Sequence, residues 1–134
     1  MIEQIDHIGI GVKNLKETMK IYKDLLGLEL IGEETIEEQK ITLAKFLVGQ
    51  VKIELVQSAH PESAIGKFIE KRGEGIHHIA FRVDNIHKSL KELNAKGVNL
   101  IDKEPRIGAG GAKIAFIHPK NMNGVLIELL EEKE

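Results

Sequence analysis

A stretch near the start of the chain returns past its middle. Ile5-Asp6-His7-Ile8-Gly9-Ile10-Gly11-Val12-Lys13-Asn14 comes back as Ile76-His77-His78-Ile79-Ala80-Phe81-Arg82-Val83-Asp84-Asn85, with His7 and His78 71 positions apart (78 − 7). Ile53-Glu54-Leu55 likewise recurs as Ile127-Glu128-Leu129, 74 positions on (127 − 53). Each half therefore opens with a histidine on an alternating apolar stretch and carries a glutamate on a second one. Two similar half-sequences call for two similar structural modules. Two histidines and two glutamates in equivalent places are the donor set of one divalent-metal site.

The spacing of apolar residues predicts the same element order in both halves. Ile5 to Val12 alternates as a half-buried strand does. Asn14 is placed to cap a helix over Leu15 to Leu26, with Glu17 as its capping-box partner and Gly27 as the stop. Leu15, Met19, Tyr22, Leu25 and Leu26 share one face of that helix, which marks them as core or as a dimer contact. Leu28 to Ile36, Ile41 to Val48 and Val51 to Gln57 read as strands, with a tight turn at Gly49-Gln50. Ser58 to Ser63, which contains Pro61, is a linker, and Ala64 to Arg72 a short helix. Gly73-Glu74-Gly75 leads into the second copy. That copy runs as a strand over Ile76 to Val83 and a helix over Asn85 to Lys96 capped by Gly97. Three strands follow, at Val98 to Asp102, Lys113 to His118 and Val125 to Leu130.

Both halves are thus βαβββ. A half of this size cannot bury both faces of four strands. The expected fold is α+β: two tandem modules forming one curved eight-stranded mixed sheet with outer helices and a central metal cleft. The expected organisation is a single domain over 1–134, with module one at about 1–57, the linker and short helix at about 58–75, and module two at about 76–134. The strand period of two puts Glu54 on one face with Lys52 and Val56, and Glu128 on one face with Leu126 and Leu130. A glutamate within a strand that is apolar on both faces is costly unless it is paired or bound to a metal.

Composition narrows the function classes. A chain of 134 residues with 42% hydrophobic and 30% charged content is long enough for one real core. Net charge is −2, with both signs interspersed and only 4% aromatic residues, so no basic stripe suggests nucleic acid. The absence of cysteine excludes disulfides and thiolate chemistry and fits a reducing compartment. Met1-Ile2-Glu3-Gln4 lacks the charged and apolar regions of a signal peptide. No run approaches the ~18 apolar residues of a membrane span. The expected location is the cytoplasm, with no membrane partner.

The motifs resemble the vicinal oxygen chelate superfamily, whose members pair βαβββ modules. Within it the methylmalonyl-CoA epimerase family matches best, over nearly the whole chain. The most specific stretch is Gly108-Ala109-Gly110-Gly111-Ala112-Lys113-Ile114-Ala115-Phe116-Ile117-His118-Pro119-Lys120, followed by Gly124-Val125-Leu126-Ile127-Glu128-Leu129. Asp6-His7-Ile8-Gly9, Lys52-Ile53-Glu54-Leu55 and Gly75-Ile76-His77-His78-Ile79-Ala80-Phe81 support it. Glyoxalase I carries an acidic Asp-Pro-Asp-Gly type of sequence where this chain has His118-Pro119-Lys120-Asn121.

The resemblance implies that His7, His78 and Glu128 are metal ligands and that Glu54 occupies the fourth ligand position. Of the two adjacent histidines, His78 matches both the family ligand and the repeat, and His77 points the opposite way. The implied cofactor is a divalent ion: Co²⁺ first, with Zn²⁺, Ni²⁺ and Mn²⁺ also fitting N and O donors. The implied reaction interconverts the (2R) and (2S) epimers of methylmalonyl-CoA through a metal-stabilised enolate. Glu128 and Glu54 are the candidate bases, one for each face. One departure stands out: in some epimerases the second base sits on the strand that here reads Ile41-Thr42-Leu43-Ala44, which has no carboxylate.

For substrate binding, the resemblance singles out the Gly110 and Gly111 loop, Arg106 and Lys113; His118 is either a further substrate contact or a structural residue at the strand end. The implied partners are an acyl-CoA substrate and a second copy in a homodimer. The competing readings are a glyoxalase I-like lyase on the same scaffold and a non-enzymatic small-molecule binding protein. Of the remaining histidines, His87 belongs on an exposed helix face and His60 in the linker.

Overall fold

The computed structural model describes residues 1–134. Eight strands and three α-helices run β1 (Ile2–Gly11), α1 (Leu15–Lys20), β2 (Glu29–Ile36), β3 (Ile41–Val48), β4 (Val51–Ser58), α2 (Ala64–Arg72), β5 (Gly75–Val83), α3 (Ile86–Ala95), β6 (Arg106–Ile107), β7 (Lys113–Ile117) and β8 (Ile127–Glu131). The fold is α+β, with an eight-stranded mixed sheet in hydrogen-bonding order β2-β3-β4-β1-β5-β8-β7-β6. No helix is long and apolar enough to cross a membrane. The chain divides into two compact units, residues 7–77 and residues 1–6 with 78–134.

In the 7–77 unit, β1 pairs parallel with β4, and β3 runs antiparallel to both β4 and β2. Ile10, Val12, Ala44, Phe46, Ile53 and Leu55 line one face and pack against Leu15, Met19 and Tyr22. Phe46 and Leu55 are fully buried there. Asn14 caps α1 as predicted, its side chain accepting from the Glu17 N–H at 3.1 Å. Gly49 turns β3 into β4 with φ of +62°, a conformation open to glycine without a Cβ clash.

The predicted helix over 15–26 is α-helical only to Lys20 and continues as a π-helical turn over Ile21–Leu25. The Leu26 N–H reaches back to the Ile21 carbonyl, five residues earlier. This wider turn breaks the 3.6-residue period. Leu25 and Leu26, expected on the packed face, are 78% and 61% exposed.

In the other unit, β5 pairs parallel with β8, and β7 runs antiparallel to both β8 and β6. Val83, Ala115, Ile117 and Leu129 pack against Ile86 and Leu90 of α3. Asn85 caps α3 as Asn14 caps α1, accepting from the Lys88 N–H at 3.0 Å. The likeness extends to the first turn: Thr18 Oγ1 donates to the Asn14 carbonyl and Ser89 Oγ to the Asn85 carbonyl.

The predicted strand over Val98 to Asp102 is not formed. Only Leu100 bridges to Ile117, because Ile101 and Asp102 both donate their N–H to the Phe116 carbonyl. Two donors on one acceptor make a bulge and stop the ladder. The outer strand is instead the two-residue β6.

Two kinds of substitution separate local from packing contributions. Asn14→Ala and Asn85→Ala should each cost about 1 kcal/mol through the lost cap. Leu55→Ala should cost about 2–5 kcal/mol through a core cavity. Urea denaturation of the three variants checks the ranking.

Candidate functional site

In the 7–77 unit the register places His7 opposite Lys52 and Gly9 opposite Glu54. Glu54 therefore lies diagonal to His7, on the face away from the α1 core. Because Gly9 has no side chain, Glu54 can lean across it. His7 Nδ1 stands 3.4 Å from Glu54 Oε2.

The other unit repeats the arrangement. Ala80, the equivalent of Gly9, lies opposite Glu128, and His78 sits two residues before it. His78 Nε2 stands 3.3 Å from Glu128 Oε1. His7, Glu54, His78 and Glu128 are 2%, 5%, 7% and 4% exposed. Burial this deep is unusual for carboxylates, which otherwise keep their water. Each pair, one imidazole and one carboxylate, offers the N and O donors that suit a divalent cation of intermediate softness.

The sheet faces fall as the strand period predicts. Glu54 shares its face with Lys52 and Val56. Glu128 shares its face with Leu130, which packs with Ile114 and Phe116 away from α3. His77, the neighbour of His78, meets the edge of the Phe68 ring on α2, with centroids 4.9 Å apart. Burial pushes the His77 pKa down to about 4, so the ring is neutral at neutral pH. Phe116, which is opposite Glu128 in register, meets His78 edge-on at 5.7 Å.

The residues expected to bind substrate are spread more widely. Arg106 lies over the Phe116 ring, 5.8 Å from its centroid. Lys113 is opposite Glu131 in register and pairs with it at 3.8 Å, on the face that carries α3. Gly110 and Gly111 sit in a tight turn with φ of +67° and +77°. The Gly108 N–H donates to the Ala112 carbonyl and the Gly111 N–H to the Gly108 carbonyl. His118 is exposed and caps the turn at Pro119–Asn121, its Nδ1 accepting from the Lys120 N–H at 3.0 Å. His60 does the same before Pro61, accepting from the Glu62 N–H. The recurring His-Pro pair is thus a local turn device in both places. Asp102, which sequence reasoning left inside a strand, grips Arg106. The signal available for it was an acid four positions before a base.

Comparison with known proteins fits this geometry. The family model for the Glyoxalase/Bleomycin resistance protein/Dioxygenase superfamily matches residues 6–116. An uncharacterized Bacillus subtilis protein, YqjC, is 46% identical over 98% of this chain and 94% of its own length. The mitochondrial methylmalonyl-CoA epimerase of Dictyostelium discoideum is 41% identical over 98% of this chain and 80% of its own. A solved methylmalonyl-CoA epimerase in complex with methylmalonyl-CoA and NH4+ superposes with a TM-score of 0.95 at 36% identity, covering 98% of this chain and 96% of that one.

The glycine turn makes a separate prediction. A Cβ on Gly108 would stand 2.9 Å from both Cδ1 and Cγ2 of Ile114. Gly108→Ala should therefore destabilise the fold by about 1–3 kcal/mol. A lowered midpoint in chemical denaturation, with an unchanged slope, is the expected result.

Proposed function

The chain belongs to the Glyoxalase/Bleomycin resistance protein/Dioxygenase superfamily, and from that premise we propose that it is a metal-dependent epimerase that interconverts (2R)- and (2S)-methylmalonyl-CoA. The observation that carries the reading is the buried His–Glu pair found at the same register in each half. A binding protein has no need of two such pairs, whereas epimerisation needs an acid–base group for each face of the reacting carbon. The full-length likeness to methylmalonyl-CoA epimerases supports the choice of substrate.

His7, Glu54, His78 and Glu128 would hold the metal, Co²⁺ being our first choice among the ions this donor set suits. When bound, the ion supplies Lewis-acid stabilisation of the negative charge that develops on the thioester oxygen.

The protein's own groups handle the proton. The thioester acidifies the hydrogen at C2, while the neighbouring carboxylate opposes its loss. In one direction the Glu128 carboxylate takes the C2 proton, and the C–H electron pair spreads into the thioester carbonyl. Glu54, in its acid form, returns a proton to the opposite face of the planar carbon, giving the other epimer. The reverse reaction exchanges the two roles. Ile41, Leu43 and Ala44 are buried and carry no acid, which supports Glu54 in the role of second base. Burial of both carboxylates excludes bulk water that would compete for the proton. A cytoplasmic homodimer completes the proposal.

Two measurements test it. Metal-loaded protein incubated with either epimer in D₂O should incorporate deuterium at C2 and form the other epimer, and chelation should abolish both. Glu128→Gln and Glu54→Gln should each slow interconversion by at least about 10²-fold, the usual contribution of general acid–base groups. Absence of exchange by metal-loaded wild type would overturn the reading.

Metal binding has its own readout. Calorimetric titration with Co²⁺ should give one ion per chain. His7→Ala and His78→Ala should each weaken binding by at least about tenfold, a loss that outer-shell partners alone can cause. Unchanged affinity in either variant would remove that histidine from the ligand set.

A further inference from the structure

Asp102 sits where a strand was expected and does a different job. Its N–H donates to the Phe116 carbonyl at 3.3 Å, and its Oδ2 accepts from the Phe116 N–H at 2.9 Å. The carboxylate is thereby fixed against the backbone of β7, with its side chain only 13% exposed. From there it takes one edge of the Arg106 guanidinium. Oδ2 accepts a hydrogen bond from Nη2 at 3.3 Å, and Oδ1 stands 3.0 Å from Nε as an ion-pair contact, Nε itself making no hydrogen bond. These contacts use Nε and Nη2, and the Arg106 side chain remains 38% exposed.

The guanidinium is held over the Phe116 ring, and the edge of that ring meets His78. Arg106 is opposite Ile114 in register and Phe116 is opposite Glu128. The strand period therefore puts Arg106, Phe116 and Glu128 on the same face of the sheet. The arginine stands one phenyl ring away from the His78–Glu128 pair. A guanidinium with one edge bound and the other open is a rigid fork for a planar oxyanion. Without Asp102 the same side chain would keep its charge and lose its aim.

We propose that Asp102 is a positioning residue that fixes Arg106 so that its open Nη1 edge receives an anionic oxygen of the acyl-CoA substrate. The proposal rests on the epimerase reading. The anionic oxygen belongs to the acyl carboxylate or to a phosphate of the CoA arm, and both present the same chemistry to the fork.

The test uses metal-loaded protein with Asp102→Asn, Arg106→Gln and the double variant, each assayed on methylmalonyl-CoA and on methylmalonyl-pantetheine. Asparagine keeps an acceptor for the Phe116 N–H and removes the charge that orients the arginine. Arg106→Gln should raise KM about tenfold while changing kcat much less. Asp102→Asn should raise KM severalfold and add nothing further once Arg106 is glutamine, because it acts through that side chain. An effect that persists on the pantetheine thioester assigns the oxygen to the acyl carboxylate. An effect confined to the CoA ester assigns it to a phosphate.

An unchanged KM in Asp102→Asn, or a loss that remains in full in the Arg106→Gln background, overturns the proposal and leaves Asp102 a structural support for β7. Failure of wild type to turn over either thioester would instead overturn the epimerase reading.

Discussion

Everything distinctive in this chain depends on one pairing rule, used twice. In each half the first strand runs parallel to the last, β1 with β4 and β5 with β8. A parallel pair cannot be joined by a hairpin, so a helix must intervene, and each half supplies one. The register of that pair then decides which side chains meet. It sets a residue with little or no side chain, Gly9 or Ala80, directly opposite a glutamate, with a histidine two positions earlier on the same face. A slip of one residue would turn the histidine and the glutamate toward the helix and its apolar core.

The two faces of each half consequently do different work. Toward the helix lie Phe46, Leu55 and Ala44 in one unit and Ala115, Leu129 and Val83 in the other, all nearly or fully buried. These contacts supply the hydrophobic free energy. On the opposite face, beside buried Leu43, Val56, Ile114 and Leu130, lie the buried polar groups His7, Glu54, His78 and Glu128, whose desolvation works against folding. A sheet can carry such groups only because its helix side is packed well enough to offset them. Retaining four buried titratable side chains makes sense as a requirement of chemistry rather than of stability, and metal binding would recover part of the cost.

Much of this was legible in the sequence, and the reasons are local. Asn14 and Asn85 are side chains that cap a helix in almost any context. Gly27 and Gly97 follow helices at positive φ, where glycine is unstrained. The alternation around Glu54 and Glu128 placed both carboxylates on the correct faces, because strand geometry leaves no choice. What escaped depended on contacts distant in sequence or on a change of helical period. The π-turn at Ile21–Leu25 has no compositional mark, so a stripe drawn at 3.6 residues put Leu25 and Leu26 on one face with Leu15, Met19 and Tyr22, and the two are not part of this chain's core. The bulge at Ile101–Asp102 arises from one carbonyl, that of Phe116, accepting two N–H groups. Nothing near Asp102 announces that.

The places where the two halves differ are as informative as the places where they agree. The shared frame comprises the parallel pair, the capped helix and the His–Glu diagonal. Outside it, the 7–77 unit builds a long antiparallel β2–β3 pairing, with a register shift between Leu30 and Gly32. The other unit shortens the corresponding strand to Arg106–Ile107 and gives the space to an acid, an arginine and a glycine turn. A symmetric frame can position a pair of equivalent bases. It cannot recognise an asymmetric thioester, whose carboxylate, carbonyl and long arm point in different directions. Recognition has to come from where the halves differ: the register position beside Glu128 is Phe116, under the Asp102–Arg106 pair, whereas the one beside Glu54 is Lys45, paired with Glu34. The repeat thus accounts for the two equivalent His–Glu pairs, and its breakdown accounts for the features that only one half carries.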